Sequence, residues 1–127
     1  MRESHFGRIV SITTRAVLGK ELRTAYSASK GALAAMTRTW ALELAGNGIT
    51  VNAIAPGAIE TEAFKISNPP DDPRTKSIVG RVPVKRLGTP ADVAHAVSYF
   101  LDDRSGYVTG QTLYLCGGLT VGFSGAS

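Results

Sequence analysis

Ile49-Thr50-Val51-Asn52-Ala53-Ile54-Ala55 is an apolar, β-branched run that Pro56-Gly57 stops, and it reads as a strand. Just before it, residues 26–44 carry Leu33, Met36, Trp40 and Leu44 at steps of three or four, the period of a helix with one apolar face. Further upstream, Arg8-Ile9-Val10-Ser11-Ile12-Thr13-Thr14 reads as another short buried strand, ending in two hydroxyls. Strand, helix, strand in this order implies a parallel crossover, so the expected fold class is α/β with a parallel sheet. Downstream, Thr89-Pro90-Ala91-Asp92 is a helix start: a hydroxyl cap, proline at the first helical position and an acid in the first turn. Val93, Ala96, Val97, Phe100 and Leu101 then line one face, and Gly110 precedes a final strand over about residues 111–115.

Tyr26-Ser27-Ala28-Ser29-Lys30 opens the long helix. Residues four apart share a helix face, which brings a lysine ammonium near a tyrosine phenol. A fixed positive charge with hydroxyl neighbours favours the ionised form of a phenol, and such a group can exchange protons with an alcohol or a carbonyl. Alone, the pair also suits an ordinary solvated helix face. Its setting, directly downstream of a strand ending in hydroxyls, gives it meaning.

Composition narrows the function further. The 127 residues suit one domain, and 43% hydrophobic content is ordinary for a globular chain. No apolar stretch reaches the roughly 18 residues needed to span a membrane, and no secretory signal pattern is present, so no membrane role and a cytoplasmic location are expected. The single Cys116 excludes an internal disulfide and reads as a buried, inert thiol at a strand end. His5 and His95 stand alone, so no metal site is expected. The formal charge of +4 comes from 14 basic and 10 acidic residues scattered along the chain, without the basic stripe and stacking aromatics that nucleic-acid binding needs. A polar stretch over residues 61–88 contains Asn68-Pro69-Pro70-Asp71-Asp72-Pro73 and reads as a long loop, either functional or a surface excursion.

Taken together, GRIVSITT, YSASKGAL, NAIAPGAIET, RLGTPADVA and SGYVTGQTLYLCGG closely resemble the short-chain dehydrogenase/reductase family. The resemblance covers nearly the whole chain but only half of the family's domain. The family's glycine-rich dinucleotide turn, its ribose selector and its N-N-A-G segment normally precede these motifs. It implies that residues 1–127 are the C-terminal catalytic and substrate half of a Rossmann-like, doubly wound parallel sheet: its last three strands and their helices. The segment 1–7 resembles the end of the helix before the fifth strand. Residues 61–88 would be the substrate-binding loop.

The resemblance also implies roles. Tyr26 would be the general acid of carbonyl reduction and the base of alcohol oxidation, with Lys30 steadying the phenolate and bonding the nicotinamide ribose. A third hydroxyl would polarise the substrate carbonyl. The family's I-S-S run points to Thr14, whereas its usual spacing to the tyrosine points to Thr13; Thr14 is favoured, because a one-residue deletion in the 15–24 loop is easier than a shifted strand end. Threonine keeps the hydroxyl but narrows the pocket with its methyl. Tyr26, Lys30, Pro56, Gly57, Ile59 and Thr61 would form the cofactor-binding set, the last four beside the nicotinamide, with Ile59 backbone groups and the Thr61 hydroxyl on its carboxamide. Asn52 reads as structural.

The implied activity is hydride transfer between NAD or NADP and a small-molecule carbonyl or secondary alcohol. The motifs most resemble the 3-oxoacyl-[acyl-carrier-protein] reductases. A non-catalytic fragment acting only as an assembly partner is the alternative. The family also implies a homodimer or homotetramer, with Ala32, Ala35, Met36, Trp40 and Leu44 as helix-packing residues that an intrachain core would explain equally well. Without an earlier partner strand, the strand around Ile9 would be an apolar edge open to aggregation or capture.

Overall fold

In the computed structural model of the chain, residues 1–122 are described; 123–127 of the expected 1–127 unit lie outside them. Strands β1 (Gly7–Ile12), β2 (Ile49–Pro56) and β3 (Thr112–Leu115) form one sheet in that order, all parallel. Helix α1 (Thr24–Leu44) makes the β1-to-β2 crossover, and α4 (Pro90–Leu101) lies on the way from β2 to β3. The expected α/β architecture holds, with strand limits shifted by one or two residues: β1 stops at Ile12 rather than at the second threonine.

The middle strand explains why its sequence was so legible. On one face Ile49 and Val51 pack with Ala41 of α1, joined by Ile9, Trp40 and Leu44. On the other, Ile54 packs with Ala96 and Phe100 of α4, joined by Val10, Val97, Val108 and Leu115. Successive side chains alternate between faces, so a strand covered on both must be apolar at nearly every position. Each large aliphatic or aromatic side chain removed from water stabilises the sheet by about 1.5–3 kcal/mol.

The helix faces differ in detail from the expected ones. Thr37 and Ala41 are the buried positions of α1, while Ala32, Ala35 and Met36 face outward; an intrachain core therefore accounts for only Trp40 and Leu44 of the helix-packing set. A polar threonine fits there because its Oγ1 donates to the Leu33 carbonyl (2.8 Å), so burial strands no hydroxyl. Leu101 is likewise exposed, beyond the Ala96 and Phe100 face of α4. The segment before β1 is a turn and not a helix end, closed by bonds from His5 N to Arg2 O and Phe6 N to Met1 O. It rests against the α1-to-β2 turn at Gly48, whose φ of +69° requires glycine and where a Cβ would collide with the His5 carbonyl oxygen.

Residues 61–88 are not a featureless loop. They hold α2 (Glu62–Ser67), capped by Thr61, and α3 (Pro73–Arg81), capped by Asp72 with proline at its first turn. Hydrogen bonds from Gly88 N to Ala58 O (3.0 Å) and Glu60 N to Gly88 O (2.8 Å) close the base of this excursion.

The start of α4 follows its sequence signature. Thr89 and Asp92 form a reciprocal capping box, and Arg86 grips the Asp92 carboxylate with bonds of 2.7 and 3.1 Å. The Arg86 bonds, followed by those from the Thr89 backbone and hydroxyl, hold the Asp92 carboxyl well below the usual carboxylate range. A lowered folded-state value means that this contribution is complete above the ordinary carboxylate titration near about 3.9 and is lost as pH falls through the lower folded value. Thr89→Ala is expected to cost about 0.5–2 kcal/mol in urea denaturation at neutral pH. Arg86→Ala should move the Asp92 titration, followed by carboxyl NMR, upward.

Candidate active site

Three chain segments meet where the carboxyl ends of β1 and β2 open. At β2, Gly57 donates its N–H to the Leu115 carbonyl (2.9 Å), and a Cβ there would stand 2.9 Å from the Cys116 Cα. Only glycine lets the chain leave the sheet this close to the end of β3. Because the Gly88 bridge uses Ala58 O and Glu60 N, the N–H of Ile59 faces the opposite side. The Ile59 carbonyl accepts from Thr61 N (2.9 Å), and the Thr61 hydroxyl accepts from Phe64 N (3.2 Å). That hydroxyl keeps its own proton to donate.

The two threonines after β1 have opposite commitments. Thr13 donates both its N–H (2.8 Å) and its Oγ1 proton (3.2 Å) to the Ile54 carbonyl, extending the sheet. Thr14 Oγ1 instead accepts from Ala16 N (3.2 Å) and caps a short 3-10 turn over Arg15–Leu18. Among the described residues its proton has no acceptor.

Helix α1 is fastened to this region at two points: Ser27 Oγ donates to Ala16 O (3.1 Å), and Lys30 Nζ donates to Ile12 O (2.9 Å). Tyr26, one residue before the first anchor, is 45% exposed. A cleft of about 910 Å³ is lined by Thr14, Tyr26, Gly57, Ile59 and Thr61, with Phe64, Ile78 and Leu119 adding apolar wall. Thr13, Lys30 and Pro56 do not line it. Lys30 Nζ is engaged on the Ile12 carbonyl at the end of β1, and Pro56 is the last residue of β2, directly before Gly57.

The cleft also carries Arg15, Lys20, Arg23 and Arg81, which the sequence reading passed over as scattered charge. Cys116 sits just past β3, buried, with its sulfur 3.3 Å from Thr120 Oγ1. Burial pushes the thiol up, but the Thr120 hydroxyl and the amides of Thr120, Gly118 and Leu119 outweigh it, so it titrates below its ordinary value. Among the described residues, no cluster of three or more His, Cys, Asp or Glu could hold a metal ion, and no helix is long and apolar enough to cross a membrane.

Residues 1–120 match the family described as enoyl-(acyl carrier protein) reductase. The chain is 44% identical over 124 residues to the BbsC subunit of (2S)-[(R)-hydroxy(phenyl)methyl]succinyl-CoA dehydrogenase from Thauera aromatica, covering 98% of this chain and 47% of that protein. It is 37% identical over 120 residues to the 3-oxoacyl-[acyl-carrier-protein] reductase FabG of Rickettsia conorii, covering 94% of this chain and 48% of that one. The solved structure of a blue fluorescent protein from a metagenomic library, in complex with NADPH, matches 89% of this chain and 45% of its own at 35% identity, with a TM-score of 0.78. The chain spans about half the length of the curated relatives it matches.

Proposed function

The chain belongs to the short-chain dehydrogenase/reductase family, and from that premise we propose that it carries the catalytic half of an oxidoreductase acting on a carbonyl or secondary alcohol with NAD or NADP. The observation that carries this reading is that Tyr26, Thr14, Gly57, Ala58, Ile59 and Thr61 line one and the same cleft. The cleft's donors suit a nicotinamide carboxamide: the outward Ile59 N–H and the uncommitted Thr61 proton are each available to an amide oxygen. Bound there, nicotinamide supplies or accepts the hydride.

The chain's own residues handle the rest. Tyr26 gives its phenolic proton to the substrate oxygen in reduction and takes it back in oxidation. Thr14 donates a hydrogen bond to the same oxygen as negative charge develops on it, and being preset by the Ala16 bond it needs no reorganisation to do so. Lys30, held between the end of β1 and the first turns of α1, contributes a positive charge on the face that bears Tyr26 and a donor for the cofactor's ribose. Pro56 and Gly57 set the turn that brings Ile59 and Thr61 to the cofactor. Residues 61–88 form the substrate-side cover, and Phe64 and Ile78 are their apolar contribution to the cleft.

Among substrates, a 3-oxoacyl thioester is the one we assign, supported by relatives whose names specify acyl-carrier-protein and coenzyme A thioesters. A second reading, the chain as an assembly partner, is favoured by β1: among the described residues its outer edge pairs with no strand, and Ile12 is 40% exposed. Fluorescence titration with NADH and NADPH separates the two. Saturable binding that Lys30→Ala weakens by about ten- to a hundredfold, the loss expected for a hydrogen bond to a charged group, supports the catalytic reading. Absence of binding until a complementary N-terminal half is added supports the assembly reading.

A further inference from the structure

The wall of the candidate cleft is chemically divided. Ile59, Phe64, Ile78 and Leu119 give it an apolar side, while Arg15, Lys20, Arg23 and Arg81 surround it with four cations against one acid, Glu21. None of the four makes a salt bridge or a side-chain hydrogen bond among the described residues, whose ion pairs are Lys65 with Glu62, Arg86 with Asp92 and Arg104 with Asp102. Of the other arginines only Arg86 and Arg104 pair with a carboxylate among the described residues; what distinguishes Arg15, Arg23 and Arg81 is that all three line one opening that also has an apolar wall. The cations also come from opposite sides: Arg15, Lys20 and Arg23 from the segment between β1 and α1, and Arg81 from the end of α3. Like charges so arranged repel one another, and a bound anion relieves that repulsion.

We propose that the substrate of this site is an amphiphilic anion: an oxo- or hydroxyacyl compound whose apolar body lies against Phe64 and Ile78, and whose carboxylate or phosphate is received by Arg23 and Arg81. The proposal rests on the reading of the cleft as a carbonyl-reducing site and names the class of molecule that enters it. Arginine suits the task because its planar fork binds carboxylate and phosphate through two bonds at once. Arg15, half-buried beside Thr14, stands nearest the reacting oxygen along the chain, while exposed Lys20 and Arg23 widen the attracting field at the mouth.

The test is calorimetric binding to the chain with its nicotinamide cofactor present, using 3-oxohexanoyl-coenzyme A, the uncharged N-acetylcysteamine thioester of the same acid, and 3-oxohexanoate. The coenzyme A ester and the free acid separate phosphate from carboxylate as the recognised group. At least one should bind about five- to tenfold more tightly than the uncharged ester at low ionic strength, and the advantage should fade with salt. The R23Q/R81Q double substitution should remove that advantage without weakening the uncharged ester, and R23K/R81K should retain most of it. Equal affinity for charged and uncharged esters, an advantage indifferent to R23Q/R81Q, or no binding of any of the three would overturn the proposal. The parent reading fails separately: charge-dependent binding without hydride transfer to the bound carbonyl would refute catalysis while leaving anion recognition intact.

Discussion

Tyr26→Phe is expected to lower kcat for carbonyl reduction by about 10²- to 10⁴-fold, the usual contribution of a positioned proton donor, while cofactor binding and stability stay unchanged. The substitution removes one oxygen and keeps the ring. It leaves in place the bonds that hold the start of α1, from Ser27 to Ala16 and from Lys30 to Ile12. A companion pair of variants tests the hydroxyl assignment. Thr14→Val removes a hydroxyl whose proton has no acceptor among the described residues, together with the cap it gives Ala16 N, and should cost about 10²–10³ in kcat if that proton serves the developing oxyanion. Thr13→Val deletes a proton already given to Ile54 O, and should cost about 1 kcal/mol of stability with little change in rate. A Tyr26→Phe enzyme with near-normal turnover would end the catalytic reading. Equal losses from both threonine variants would end the distinction between them.

That distinction marks the limit of what the sequence discloses. Strand β2 was legible because burial on both faces forces an apolar, β-branched run, and α4 because Thr89, Pro90 and Asp92 write a helix start in consecutive residues. Whether a threonine proton points into the sheet or into a cleft is different. It depends on where Ile54 O lies, and that follows only from the β1 and β2 register. The same holds for Thr37, which hydropathy ranks below Met36 although its bond to Leu33 O makes it the better buried of the two. Helices α2 and α3 were missed because each is short, and because residues 68–73 were read as loop although Asp72 is the cap and Pro73 the first residue of α3. The cationic rim was invisible for a related reason: Arg81 joins Arg15 and Arg23 only when the 61–88 excursion folds back over the strand ends.

Asn52→Ala should lower stability by about 2–5 kcal/mol, a large share of the roughly 5–15 kcal/mol that holds an ordinary domain together. Asn52 is 1% exposed in the central strand, and both ends of its amide are used. Its Nδ2 donates to Val108 O (2.8 Å), and its Oδ1 accepts from Gln111 N (3.1 Å). Truncation leaves a carbonyl and an N–H without these partners beside a strand, and each costs about 1–3 kcal/mol when water cannot replace the lost bond. The loss reaches the candidate site through backbone. The same lock seats residues 109–111 against β2, where Val51 N bonds Thr109 Oγ1 (3.0 Å), Gly110 N bonds Val51 O (2.7 Å) and Ala53 N bonds Gln111 O (2.8 Å). β3 begins from that seat, and the Leu115 carbonyl at its end holds Gly57 at the floor of the cleft. Amide exchange at Gly57 should therefore speed up in Asn52→Ala even under conditions where the chain remains folded. Thr109→Val, which removes one bond of the same seat, should cost only about 1 kcal/mol in urea denaturation. A fully stable Asn52→Ala chain with unaltered Gly57 protection would mean that the residue merely fills space, and that the β2-to-β3 pairing is held by its backbone ladder alone.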